Sequence, residues 1–516
     1  MATDTIKFKR GVKSKLNNLS YGEPAFISDE NELYIGTESG IEKLTSNKEV
    51  KELSSQLTQN ENVLSTVNNA LKNISYDVTM LGVKGDGTDE TEIIQNIIDS
   101  MPEGCTLLFP ANYTFRFSSI NITKCININA TGSTLIHTVS TDNFIKVNAD
   151  NVSIVGGKYL LNNIDGIIIN NDNVKISSIQ CDGGENAIVI RGNNCIISDC
   201  ISTNASYSSY KIMFSDKTKK DCVTIRNCRA IDFSFKGIVY NGLIGSKKII
   251  IENFVGITNT KEPASDGILI DNGDDDSYCI DEVIMDNVHL YGGESNCMKI
   301  LNTNNLILRN VYARNEHSKY GSSSMFRLFS KNAYLENINV DERVIASSNL
   351  RINGLHYNRD KVEGYDVIEL VGEGTIADLS NININVDTLS SYAIRVDRST
   401  DVQHKIVLSN YNAPTSIPIF GIFKAPPEVV GFIEVCDEKL LENYRVTGSD
   451  SGDSRIIRKP RTFMANSIPT HGTYKQGDII YNTSPRLGSN LGWVCTKSGT
   501  FNDDDPAFNK FGIIEA

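Results

Sequence analysis

The sequence predicts an all-β protein built on a parallel β-solenoid, with an N-terminal coiled-coil stem and a small C-terminal β module. Three observations carry this reading. A short apolar motif recurs about every 25 residues from 128 to 408, a second strand-like motif recurs between its copies, and an unbroken heptad precedes both.

Composition narrows the class of molecule. At 516 residues the chain has room for three or four domains, unless one is an elongated repeat fold. Hydrophobic residues make up 40% and charged residues 22%, which excludes a disordered chain. A net charge of −13 argues against a nucleic-acid binder, which needs a basic face. No apolar run is long enough to span a membrane, and Met1-Ala-Thr-Asp-Thr5 lacks the basic and apolar regions of a signal peptide. The 11 cysteines contain no CxxC pair and fit reduced, buried thiols of cytosolic synthesis.

Residues 1–45 read as short strands and turns. Ile6 and Phe8 alternate, Glu32-Leu-Tyr-Ile-Gly36 is a strand, and turns fall at Gly22, Asp29 and Gly40. So short a piece buries little by itself. Residues 46–75 form the stem: Val50, Leu53, Leu57, Asn60, Leu64, Val67, Leu71 and Ile74 step alternately by three and four. An amphipathic helix on a globular domain shows the same period, but a strict two-in-seven seam favours self-association. Asn60, the polar member of the seam, is placed to set register. Next, a strand from Tyr76 leads through Gly85-Asp-Gly87 into a helix that Thr88 or Asp89 can cap, with Ile93, Ile94, Ile97 and Ile98 on its apolar face. That helix is the expected cap of the solenoid. The glycine turn lacks the GKS or GxGxxG of a phosphate loop.

The parallel β-helix is expected over 76–445, and from about 125 the chain repeats. Ile225-Arg-Asn-Cys228, Ile251-Glu-Asn-Phe254, Met285-Asp-Asn-Val288, Leu308-Arg-Asn-Val311, Leu335-Glu-Asn-Ile338, Leu379-Ser-Asn-Ile382 and Leu408-Ser-Asn-Tyr411 show it best. Ile128, Ile154, Ile176, Ile197 and Ile352 occupy the same slot. The second column runs Asp165-Gly-Ile-Ile-Ile-Asn170, Asn186 to Arg191, Lys236 to Asn241, Asp266 to Asp271, Asn296 to Leu301 and Ser324 to Phe329. Two strand columns per repeat with polar corners describe coils that cover one another. Pro414, Pro418, Pro426 and Pro427 then break the pattern. A polar linker, 446–462, leads to a β module over 463–516 that holds Trp493.

The stretch Tyr76-Asp-Val78, Gly82, Lys84-Gly-Asp-Gly87, Asp89-Glu-Thr91, Ile94-Gln95 and Ile98-Asp99, followed by Leu107-Leu-Phe-Pro-Ala111, resembles the N-terminal signature of the pectate-lyase-like right-handed β-helix superfamily. Lys7, Lys9, Arg10, Gly22-Glu-Pro24 and Leu33-Tyr-Ile-Gly36 resemble the small N-terminal domain of phage tail fibres, and Gly477-Asp-Ile-Ile-Tyr481 with Gly492-Trp-Val-Cys495 resembles a C-terminal module of phage spikes. The resemblance implies a phage tailspike or receptor-binding protein. Such a protein is a virion-borne homotrimer, made in the host cytoplasm. Its N-terminal domain holds a phage tail or baseplate protein, and it binds and depolymerises a bacterial surface polysaccharide: capsule, exopolysaccharide or wall teichoic acid. The resemblance carries over no catalytic residues, because tailspikes place them differently.

Candidate site residues come from the repeat itself. The outward middle position of the second column reads Ile168, Val189, Val239, Leu269, Lys299 and Arg327, and its frame continues to Glu369 and Arg395. Lys299 and Arg327, with Asp271, are candidate substrate-binding residues for an acidic glycan. Hydrolysis needs two carboxyl groups, about 6.5–9.5 Å apart for inversion. Asp266 and Asp271 bracket one strand and are too far apart. Asp266 with Glu294, one coil on, gives Cα atoms about 8 Å apart, and Glu316 is the alternative partner of Glu294. Lys299 and Arg327 serve instead if the chemistry is that of a lyase. A non-enzymatic binder is the competing function. Trp493 is either core of its module or a sugar-stacking platform. No cofactor is expected. The six histidines are dispersed, and the acidic stretch 271–282 lacks the EF-hand glycine, so no metal is expected either.

Overall fold

The computed structural model describes residues 9–30, 32–44, 47–71, 74–139, 142–214, 222–240, 247–258, 266–271, 280–292, 296–314, 325–341, 343–346, 349–358, 366–371, 376–385, 393–397, 405–413, 420–423, 433–435, 456–458 and 461–515. They form two compact units, Met1–Ile74 and Ser75–Ala516.

In the first unit, Lys9–Gly11 pairs parallel with Pro24–Ile27, which pairs antiparallel with Glu32–Thr37 and that in turn with Gly40–Leu44. Alternation sends Ala25, Ile27 and Tyr34 inward. Gly36 is obligatory, since a Cβ there would meet the Ser20 carbonyl oxygen at 2.2 Å. Ile6 and Phe8 lie outside the described residues. Helix α1, Asn47–Leu71, follows the predicted heptad. Its seam faces solvent, with Leu53 71%, Leu57 62% and Leu64 61% exposed.

The second unit is a right-handed parallel β-helix followed by the C-terminal module. The expected capping helix is α2, Thr91–Ser100, with Ile94, Ile97 and Ile98 buried. Asp89 satisfies its first turn by accepting the Thr91 N–H at 3.0 Å. Glu90 is turned the other way and ties down the glycine turn, accepting the Gly85 N–H at 3.1 Å. Gln95 reads the first coil's backbone with both ends of its amide: it donates to Asn121 O at 3.0 Å and accepts from Asn121 N at 2.7 Å. The open edge is thereby closed against further pairing.

Each coil has three strands, not the two the repeat suggests. In one early coil these are Lys175–Ser177, Gln180–Gly183 and Asn186–Ile190, contributing to a first, second and third sheet. Two residues separate the first and second strands, the first of them in the left-handed region, so in sequence they read as one motif. In later coils they merge, as in Lys248–Ile257 and Ile280–Tyr291. The left-handed residue is the asparagine of the repeat: Asn227, Asn253, Asn287, Asn310, Asn337, Asn381 and Asn410 all have φ between 49° and 55°. Asn tolerates this conformation better than other residues with a Cβ. Its amide also stacks on the next coil, Asn253 Nδ2 donating to Asn227 Oδ1 at 2.8 Å and Asn337 Nδ2 to Asn310 Oδ1 at 2.8 Å. Where the coil at Ile352 departs from the motif, Gly354 takes the position with φ 87°.

All twelve predicted anchors fall in one register column of the first sheet, from Ile128 through Ile154, Ile251 and Met285 to Leu408, and all are buried. Cys200 and Cys228 stack one coil apart beside them. Burial pushes the nearby Cys181 thiol up to about 12, so that thiol is a packing group. Nine described cysteines are free.

Within the expected 446–462 linker, Ile456–Arg458 is a strand paired with Ile433–Val435. The C-terminal module pairs Thr462–Ala465, Ile479–Asn482, Asn490–Lys497 and Ala507–Ile513 in that order. Its pin is Asp478, fully buried, which accepts from Arg461 Nη2 at 2.6 Å and from the backbone N–H of Lys475 at 2.8 Å.

Candidate functional site

The third sheet carries most of the predicted site. Its strands have two faces, and the middle position of each points away from the core. Register places Asn121, Lys146, Ile168, Val189, Lys211, Val239, Leu269, Lys299, Arg327, Ile345, Glu369 and Arg395 in one outward column on consecutive coils. Every member read from the sequence is in it. Asn121, Lys146, Lys211 and Ile345 were missed; Lys211, for one, follows Ser208-Ser-Tyr210 rather than the small residue and apolar run that mark the corners read from the sequence. Ile168, Val189 and Val239 are buried although they face outward, so this part of the column is covered. From Lys299 onward the column is charged apart from the buried Ile345.

The charges are arranged in pairs. Lys299 Nζ lies 3.0 Å from Asp271 Oδ2, both partly exposed, so two of the predicted substrate-binding residues do come together. Arg327, next in the column, is exposed. Two coils on, Arg343 Nη1 lies 2.7 Å from Glu369 Oε2. Arg395 approaches Asp366 at 3.5 Å and Glu369 at 3.9 Å. Asp366 and Glu369 are buried in this network. Arg343 and Asp366 lie off the outward column, so no repeat position marks them. At the other end of the column, Lys146 bonds Asp142 and holds its carboxyl below the usual carboxylate range.

Asp266 is elsewhere, and its predicted role is corrected. It sits in a polar ladder at the corner before the third sheet, 3% exposed. In that ladder Asn186 donates to Asp165 at 2.6 Å, Ser208 bonds Asn186, and Lys236 Nζ bonds Asp266 Oδ2 at 2.5 Å. Asn296 donates to Asp266 Oδ1 through its backbone N–H at 2.9 Å and its amide at 3.1 Å. Asn296 does lie one coil beyond Asp266, as the spacing implies. Both carboxylate oxygens are committed inside the wall, however, and neither is offered to a substrate. Glu294 and Glu316 lie outside the described residues, as does 272–279 of the acidic stretch.

Trp493 is also corrected. It is 6% exposed, on a strand whose neighbour is Ile480, so its ring is module core and has no face open to a sugar. Among the described residues no cluster of His, Cys, Asp and Glu has the form of a metal site, and no described helix is long and apolar enough to cross a membrane.

Several solved structures are similar to this chain. The tailspike protein of Escherichia coli bacteriophage HK620, solved with a pentasaccharide, aligns over 87% of this chain and 93% of its own, at 11% identity and a TM-score of 0.48. The A-module of the Azotobacter vinelandii mannuronan C-5 epimerase AlgE6 aligns over 75% and 99%, at 13% identity and 0.38. An endo-xylogalacturonan hydrolase from Aspergillus tubingensis aligns over 73% and 100%, at 13% identity and 0.35. No family profile matches the chain, and no curated protein matches it. At these identities and scores no residue's role passes from those proteins to this one.

Proposed function

We propose that the chain is a phage tailspike that binds a bacterial surface polysaccharide along the outward face of the third sheet and depolymerises it during host adsorption. The observation that carries the proposal is the set of charged residues Lys299, Arg327, Glu369 and Arg395 within five consecutive coils of a rigid scaffold, with Ile345 the intervening member. A β-helix fixes such groups at a pitch of about 4.8 Å, and an extended glycan is a ligand long enough to meet several of them. Arg327, exposed and bordered by Lys299, suits a sugar carboxylate or phosphate. Three assembly roles belong to the proposal. The chain is a homotrimer through α1, the N-terminal unit docks on a tail or baseplate protein, and the mature protein resides in the virion. Glu294, with Glu316, remains the proposed source of the hydrolytic carboxyl pair.

A second reading, a receptor-binding protein without activity, is favoured by a specific observation. The described carboxylates of this face, Asp271, Asp366 and Glu369, are all engaged with Lys299, Arg343 or Arg395. Purified protein incubated with host polysaccharide separates the readings. New reducing ends without an unsaturated uronate chromophore indicate hydrolysis, new reducing ends with that chromophore indicate elimination, and adsorption with neither indicates a binder. Glu294→Gln is expected to abolish cleavage while adsorption and melting temperature stay unchanged. A fully active Glu294→Gln protein removes the proposed pair.

A further inference from the structure

A cleft of about 440 Å³ lies on the outward face of the first sheet, away from the charged column. Two register columns line it. One runs Glu282, Asn305, Asn332, Asn349 and Ile376, the other Ile307, Tyr334, Arg351 and Asp378. The three asparagines are exposed and form a ladder, Asn332 Nδ2 donating to Asn305 Oδ1 at 3.0 Å and Asn349 Nδ2 to Asn332 Oδ1 at 3.2 Å. Asn305 Nδ2 donates to the Asp281 carbonyl at 3.3 Å and Asn332 Nδ2 also reaches the Asn304 carbonyl at 3.5 Å, while each amide carbonyl, which has two lone pairs, accepts at most one bond along the ladder and keeps acceptor capacity for a ligand hydroxyl. Beside the ladder the half-exposed Tyr334 ring lies beneath the Arg351 guanidinium, 5.8 Å from its centroid. Ile307 continues the apolar floor, and Ile376, 53% exposed, ends the ladder.

We propose that this cleft is a second carbohydrate site, for an uncharged glycan. It extends the glycan-binding reading to another face and does not depend on cleavage. The chemistry is that of a sugar chain. Amides at the coil pitch, about 4.8 Å, meet hydroxyls on successive rings, because that pitch is close to the length of one pyranose. Tyr334 and Ile307 receive the C–H face of a ring. The charges cancel: Glu282 pairs with Lys248 at 2.8 Å, and Asp378 stands 3.8 Å from Arg351. A polyanion therefore gains nothing here that it does not gain better on the third sheet. A second copy of the chain fits less well. The backbone groups of these parallel strands are already paired with the coils above and below, so no strand can add to this face, and an apolar partner surface would strip water from the outward amide groups. The volume falls within the range of small-ligand clefts.

The test uses the full chain and three neutral probes, maltohexaose, cellohexaose and chitohexaose, titrated by calorimetry. At least one is expected to bind. Tyr334→Ala and Asn332→Ala are each expected to weaken that binding about tenfold, Tyr334→Phe to retain it, and Arg327→Ala to leave it unchanged. Tyr334 and Asn332 point outward, so circular dichroism of the variants should match the parent. Lack of binding by all three probes overturns the proposal. So does binding indifferent to Tyr334→Ala and Asn332→Ala, or a change in sedimentation on Tyr334→Ala, which would mark the face as an interface between copies. Loss of cleavage in Glu294→Gln leaves this result untouched, so the two readings fail separately.

Discussion

Asn310 illustrates how one residue type serves two purposes in the wall. Its φ of 51° costs an L-residue energy, and its amide donates to Asp286 at 2.9 Å while its carbonyl accepts from Asn337 at 2.8 Å. Asn310→Ala keeps the strain and loses both bonds, and is expected to cost about 2 kcal/mol. Asn310→Gly relieves the strain and should cost less, as Gly354 in the same position suggests; denaturant midpoints of the two variants give the order. His137 is a different case. It is buried with its ring 5.1 Å from that of Phe144, and burial holds its pKa below the ordinary value near 6.5. In the window between the lowered folded value and about 6.5, the unfolded chain binds more protons than the folded one. Stability from this group is therefore complete above about pH 6.5 and falls as pH drops through the window. His137→Phe should flatten the acid limb of melting temperature against pH, and an unchanged limb would assign the acid sensitivity elsewhere.

The corner ladder sets the behaviour of the elements it joins. Lys236 and Asp266 are a buried ion pair on adjacent coils, and Asp266 also receives the two Asn296 bonds that start the next strand of the third sheet. Removing one buried partner leaves the other charge without compensation, so Lys236→Met is expected to destabilise the β-helix by about 3–5 kcal/mol. Adding Asp266→Asn should recover most of that loss, since the amide carbonyl still accepts from Asn296. Equal melting temperatures for Lys236→Met and the double variant would show that the pair is not the cause. The same coil explains what was legible beforehand and what was not. The inward anchors and the outward column follow from a period of two along each strand and one coil per repeat, so Ile225, Ile251, Lys299 and Arg327 could all be placed in register. Asp266 has the same spacing whether it faces a groove or a neighbouring lysine, and only the side-chain directions at the corner decide between these. Trp493 was ambiguous for the same reason. The second strand of each coil escaped notice because a left-handed asparagine turns the corner from the first strand without a break in the apolar pattern.

At the scale of the whole molecule the question is what covers α1. Over its 25 residues the helix is about 37 Å long. Leu53, Leu57 and Leu64 stand largely exposed on one stripe, with Asn60 between them, itself exposed. A polar-flanked stripe of that kind is stable in water when copies of it meet, through knobs-into-holes packing of the seam. Full-length protein is accordingly expected to sediment as a trimer at low micromolar concentration, and a monomer under those conditions would sink the proposal. Asn60 supplies the sharper measurement. Inside a coiled coil it faces its own copies, where amide pairing holds one register and one strand number at some cost in stability. Asn60→Leu should therefore raise the melting temperature of the stem while broadening the distribution of oligomers. If α1 instead packed singly against another surface, the substitution would bury a leucine with no effect on stoichiometry. A raised melting temperature with an unchanged sedimentation profile would then argue against the register role of Asn60 without touching the exposed leucine stripe itself.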